Sequence, residues 1–131
     1  MSDPTVCANI GPLGRQRRLR SGIRWLAIGA GAGVALAFAG APRWTRLGTF
    51  APFVLGASGV FQAYEQTCVA LAARGVRDMD SGEEQIADQA MARQISRQAR
   101  KVYVESGLMA ALLTAAVLAL PRRRREDEAL P

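Results

Sequence analysis

Apolar residues in this chain are gathered into blocks rather than spaced at regular intervals. Three blocks stand out, Trp25 to Ala41, Leu47 to Ala63 and Val102 to Leu120, each 17 to 19 residues long, with strongly charged segments between them. An amphipathic helix repeats its apolar positions every three or four residues and a half-buried strand every two. Neither period organises these blocks. A continuous apolar run of about 20 residues is what a helix needs to cross roughly 30 Å of hydrocarbon. The pattern therefore predicts three membrane-spanning helices.

Local signals connect the blocks. The turn Pro42-Arg43-Trp44 is short, so the first two spans are antiparallel neighbours. The second helix is expected to continue through Tyr64-Glu65-Gln66-Thr67-Cys68 to Arg74 and to stop at Gly75. A polar turn follows at Arg77-Asp78-Met79-Asp80. Ser81 and Glu84 match a capping box, with Glu83, Glu84 and Asp88 near the positive helix end. No Gly or Pro interrupts Glu83 to Ser106, so one long helix is expected, with about 20 residues of stalk merging into the third span. The fold class expected is all-α and integral to a membrane: an antiparallel two-helix transmembrane hairpin, then a long cytoplasmic helix continuing into a third transmembrane span. The chain divides into a basic interfacial segment (1–22), the hairpin (23–75), the cytoplasmic turn and basic stalk (76–101), the third span (102–120) and a charged tail (121–131).

Charge orients these spans. The 17 basic residues outnumber 11 acidic ones, a net charge of +6, which by itself would suit nucleic acid. No helix-turn-helix, zinc-finger or stacking signature accompanies them, and the arginines flank the apolar blocks, so no nucleic-acid partner is expected. With the N-terminus in the cytoplasm, eleven Lys and Arg lie inside and six outside, and positive-inside favours that orientation. The tail Arg122 to Arg125 dissents, since three crossings put it outside. Trp25 and Trp44 bracket the first span, and Tyr64 and Tyr103 fall at the cytoplasmic ends of the other two, depths that suit amphipathic rings. A rival reading makes the first block a cleavable signal peptide, with Ala-x-Ala at Ala37-Phe38-Ala39. The long basic segment before it and the closely following second block favour a hairpin.

Gly29, Gly33 and Ala37 recur at four-residue spacing and offer a flat face for close helix packing, with Gly48, Gly56, Gly59 and Ala63 on the second span as the facing surface. The alternative is that Gly and Ala are simply common in membrane helices. The stalk carries a thin apolar line at Ile86, Ala90, Ile95, Ala99 and Val102 opposite Arg93, Arg97, Arg100 and Lys101. Such a helix serves as an arm for anionic headgroups, as a face for a partner helix, or as a solvated element marking the membrane edge.

Candidate chemistry is sparse. The chain contains no histidine and only two cysteines, Cys7 and Cys68, both on the cytoplasmic side in the favoured topology. Thiols there serve sulfur transfer, soft-metal binding or redox sensing, or are merely small apolar residues. Two thiols without another ligand make an incomplete metal site, and no metal or other cofactor is expected. Glu65 and Glu105 are the acids nearest the hydrocarbon, with Arg20 and Arg24 as candidate partners in an interfacial ion pair.

Asn9-Ile10-Gly11-x-x-x-Arg15-x-x-Arg18-x-x-x-Gly22, followed by an apolar span, a short turn and a Gly-rich span ending near a cysteine, resembles the YgaP-like transmembrane domain family over residues 9 to about 75. These are small bacterial inner-membrane helical hairpins that occur alone or fused to rhodanese domains. Gly14 stands where an acidic residue commonly precedes the first motif arginine, Cys68 lies deeper than the pattern implies, and no rhodanese domain is present. Arg15, Arg18 and Gly22 share one helical face, which with Arg20 and Arg24 reads as an anchor for lipid phosphates. Asn9 and Gly11 are expected to form the cap or turn before it.

The function expected is non-catalytic: a membrane scaffold or accessory subunit, homo-oligomeric or part of a larger complex, with the bilayer as its other partner and no small-molecule substrate. The alternative is a thiol-dependent sulfur or soft-metal handling protein using Cys7 and Cys68.

Overall fold

The computed structural model describes residues 7–121, so the arginine tail from Arg122 onward lies outside the described residues. Helix α1 runs Pro12–Phe38, a 3-10 helix covers Arg43–Thr49, and α2 spans Phe50–Tyr64. A short α3 (Val69–Ala73), two strands β1 (Val76–Asp78) and β2 (Glu83–Gln85), and a long α4 (Gln89–Ala119) complete the chain. Helices α1 and α4 are long and apolar enough to cross a membrane, at 27 and 31 residues. The intervening α2 has 15 residues, about 22 Å of helix.

Helix α2 is the central rod, packed against α1 on one side and α4 on the other, while α1 and α4 barely touch. The α1–α2 seam is built on glycine. A Cβ at Gly22 would lie 2.7 Å from both the Gly56 carbonyl oxygen and the Val60 nitrogen, and one at Gly59 would lie 2.7 Å from the Arg18 carbonyl oxygen. Only residues without a side chain let two backbones approach that closely. Gly29 receives the Phe53 ring, whereas Gly33 receives Val117 of α4 rather than the second span. Gly48, by contrast, has nothing within 4 Å of its Cβ position. Phe53, Ala110 and Val117 form the apolar centre, with Leu26, Val54 and Leu113 against it.

Both ends of the α1–α2 hairpin close in the same way. Gly40 (φ 70°) ends α1, and the Ala41 amide donates back to Leu36 O at 3.0 Å. At the other end Gln66 takes a left-handed conformation (φ 54°), and the Thr67 amide donates to Gln62 O at 2.9 Å. This is the Schellman closure, which usually employs glycine. It stops α2 at Tyr64, so the helix does not continue to Arg74 as the sequence suggests. Gly75 (φ 65°) ends the separate α3 instead.

The expected capping box also fails. Glu83 and Glu84 lie in β2, which pairs antiparallel with β1 in the register Arg77↔Glu84 and Asp78↔Glu83. The Asp78 carboxylate accepts from the Asp80 and Gly82 amides and turns the chain, and Glu84 is drawn across to Arg77 (2.6 Å). Helix α4 starts at Gln89, where the Asp88 side chain accepts from the Ala90 and Met91 amides. From there it is unbroken to Ala119. The molecule is thus mostly helical, as expected, with a small two-stranded β-hairpin at one end.

The Arg74 guanidinium, 2.8 Å from Glu83, holds that carboxyl below the ordinary glutamate range through a hydrogen bond and its charge. A depressed folded value means the pair supports the hairpin above the ordinary glutamate range and loses its hold as pH falls through the folded value. Hydrogen exchange checks this at the Ile86 amide, which donates to Gly75 O at 3.0 Å. Its protection is expected to fall on acidification below about pH 4 in the native chain and to fall less in E83Q. Equal falls would contradict the assignment.

Candidate functional site at the basic end

The described cysteines, the N-terminal arginines, the α2–α3 break, the hairpin and the middle of α4 all meet at one end of the rods. Asn9, fully buried, is the residue that ties them together. Its Oδ1 accepts from the Cys68 amide (2.6 Å) and its Nδ2 donates to the Cys68 carbonyl (3.1 Å). Its own amide donates to Gln66 O (3.0 Å), and its carbonyl accepts from the Asp78 amide (2.8 Å). The side chain and backbone of this one residue therefore fasten the N-terminal segment, the end of α2 and β1. Next to it, Ile10 packs with Cys68, Leu71 and Val76 in a small buried cluster.

Gln98 of α4 performs a similar service. It accepts from the Cys7 amide (2.8 Å) and donates to the Cys7 carbonyl (2.6 Å) and the Thr67 hydroxyl (2.8 Å). Gly11 precedes α1 without a capping side chain, and Asp80 supplies the cap from the hairpin, accepting from the Leu13 (3.0 Å) and Gly14 (3.2 Å) amides. A Cβ at Gly11 would overlap the Asp80 carboxylate, which explains the glycine there.

The arginines divide into two groups. Arg15 donates from Nε to the Ala63 carbonyl (3.2 Å) and Arg18 from Nη2 to the Cys68 sulfur (2.9 Å). Both are turned inward onto the closing turn of α2, where exposed carbonyls favour a cation. Arg20 and Arg24 face outward.

No family model, curated protein or solved structure matches this chain.

Glu65 and Glu105 come together, but on Lys101 rather than on Arg20 or Arg24. The Lys101 ammonium is 3.1 Å from Glu65 and 3.6 Å from Glu105. A hydrogen bond to Glu65, then the charges of Glu65 and Glu105, raise Lys101 above the ordinary lysine range. Glu65 is 5% exposed and Lys101 60%, so the pair is half wet. Lys101→Met strands a buried carboxylate and is expected to cost about 1 kcal/mol, kept low by that exposure. A second change, Glu65→Gln, recovers most of the loss. Unfolding in detergent mixtures measures both, and additive losses would contradict the pairing.

Cys7 is half-buried and Cys68 buried, and both thiols are free. Among the described residues no group of three or more His, Cys, Asp or Glu stands close enough to hold a metal ion. A cavity of about 450 Å³ opens beside Arg18, between α1, α2 and the hairpin. Arg17, Arg18, Ser21 and Trp25 of α1 line it, together with Asp78 and Asp80 of the hairpin. Arg17 carried no expectation from the sequence. One basic residue among five along α1 cannot be singled out without knowing which way the helix faces.

At the opposite end of the rods, sequence reasoning missed Arg46. It is fully buried, and its Nη1 donates to the carbonyls of Val117 (2.9 Å) and Leu120 (2.7 Å) at the end of α4. Its Nε and Nη2 have no hydrogen-bond partner among the described residues. Counted by sequence as a loop charge, it instead works as the C-terminal cap of α4.

Proposed function

We propose that this chain is a small multi-pass protein of the bacterial inner membrane, with its N-terminus in the cytoplasm, that acts without catalysis as a scaffold or accessory subunit. One observation carries the membrane assignment. The most apolar stretches of α1 and α4 are only 22% and 28% buried. Ile28 (53% exposed), Phe38 (67%), Leu55 (50%), Leu108 (62%) and Leu112 (67%) face outward along all three rods. A water-soluble bundle turns such residues inward, whereas lipid is a good solvent for them. The basic end then lies at the cytoplasmic headgroups. Arg46, tied to the end of α4, no longer counts as a free loop charge, which sharpens the inside excess of Lys and Arg.

Association is the second part of the reading. Gly29, Gly33, Ala37, Gly56 and Gly59 are buried within the chain's own helix packing, so they are not free to recruit a partner. A different row remains open on α4: Gly107, which has nothing within 4 Å of its Cβ position, then the exposed Ala111, Ala115 and Ala119. Small residues at every fourth position suit a second helix in lipid. In mild detergent the native chain is expected to run as an oligomer or with a co-purifying membrane protein, and Ala111→Leu to release it. A strict monomer with no companion overturns the scaffold reading.

Orientation has its own test. Trp44→Cys, at a position 72% exposed, is expected to react with an impermeant maleimide in intact cells, and Cys7 only after lysis. The reverse pattern inverts the topology.

A further inference from the structure

The cavity at the basic end is lined by charges of both signs that do not pair with one another. Arg17 and Arg18 stand on α1 and Asp78 and Asp80 on the hairpin, yet none of the ion pairs among the described residues joins them. Among the described residues the side chains of Arg17 and Ser21 have no hydrogen-bond partner, and the Nε of Arg18 is buried without one. Of the two acids, Asp80 is occupied by the start of α1. Asp78 uses Oδ1 to accept from the Asp80 and Gly82 amides, which leaves Oδ2 open. Unpaired donors and an unpaired carboxylate oxygen thus line one cavity of about 450 Å³, a volume suited to a small polar group.

We propose that this cavity binds the headgroup of a zwitterionic aminophospholipid, its phosphate on Arg17, Arg18 and Ser21 and its ammonium on Asp78. The inference rests on the membrane reading above. Guanidinium and hydroxyl donors match phosphate oxygens, and a primary ammonium brings three N–H donors to a carboxylate. The lower wall points to a lipid rather than a soluble phosphate ester. Trp25 (39% exposed) and Leu55 (50%) line the same cavity and continue it onto the apolar surface, where acyl chains would lie. A singly anionic headgroup satisfies the arginines and leaves the Asp78 Oδ2 open. A trimethylammonium headgroup carries the charge without any N–H to donate.

Native mass spectrometry of the full chain, purified from a membrane pellet, tests this with one lipid added at a time. The probes are phosphatidylethanolamine, phosphatidylglycerol and phosphatidylcholine with identical acyl chains, and water-soluble phosphoethanolamine. Phosphatidylethanolamine is expected to bind about tenfold more tightly than either other lipid, the factor expected from one charge-assisted hydrogen bond. Arg17→Gln is expected to weaken phosphatidylethanolamine and phosphatidylglycerol alike. Asp78→Asn keeps the turn-forming oxygen and is expected to remove only the preference between them. Ser21→Ala, outside the turn, gives a second readout should Asp78→Asn fail to fold, with weaker binding of both lipids. Equal retention of the three lipids overturns the proposal, and so does binding of phosphoethanolamine as tight as that of the lipid, which would assign the cavity to a soluble phosphate ester. Failure of the membrane reading is separate and is seen earlier, as protein that never reaches the pellet.

Discussion

Gly56→Leu is expected to split α1 from α2 and to cost about 3 kcal/mol or more, the range for forced overpacking at a site that cannot relax. A Cβ at position 56 lies 2.7 Å from the Leu26 nitrogen and 2.8 Å from the Gly22 carbonyl oxygen. Both are backbone atoms inside a helix, and neither can turn aside as a side chain would. Relief requires the helices to separate, which also withdraws Gly22 from Val60 and Gly59 from Arg18. Gly31→Leu is the matching control, since nothing lies within 4 Å of its Cβ position and a leucine there meets only solvent or lipid. Unfolding of the two variants in mixed detergent, followed by helical circular dichroism, checks the contrast. Equal stability would contradict the close-packed seam.

Asn9→Ala is expected to cost about 1–3 kcal/mol, because it leaves the Cys68 amide buried without a partner and removes one of two donors from the Cys68 carbonyl, which still accepts from the Ala72 amide. Asn9→Asp separates the two contacts. It retains an acceptor for the Cys68 amide but presents oxygen to the Cys68 carbonyl, so it is not expected to rescue. The loss should be local first. Exchange at the Gln66–Cys68 turn and at the Asp78 amide should quicken while the centre of α2 stays protected. A uniform loss across all three rods would mean that Asn9 acts on the global fold rather than as a clasp.

How much of this was legible in the sequence depends on which interaction decides each element. The three apolar blocks emerge as three rods because no polar turn signal interrupts them. The break after Tyr64 was illegible, since the left-handed residue is Gln66 and not glycine. The hairpin was hidden for a different reason. Ser81 and Glu84 obey a helix-start rule, but cross-strand partners at Arg74 and Arg77 and the Asp78 turn outweigh it, and only the fold brings them opposite. Helical spacing put Arg15, Arg18 and Gly22 on one face, and spacing alone cannot say whether that face meets phosphate or protein. In the fold Arg15 and Arg18 meet the end of α2, and Gly22 meets Gly56 and Val60. Arg46 looked like any loop cation because its carbonyl partners lie 71 and 74 residues away in sequence.

The proposed membrane assignment requires the outward faces of α1, α2 and α4 to lie dissolved in lipid. Alkaline carbonate extraction of membranes from cells producing the chain tests it most directly. The protein is expected to stay in the membrane pellet and to be released only by detergent. Folded protein in the carbonate supernatant, soluble without detergent, would contradict it.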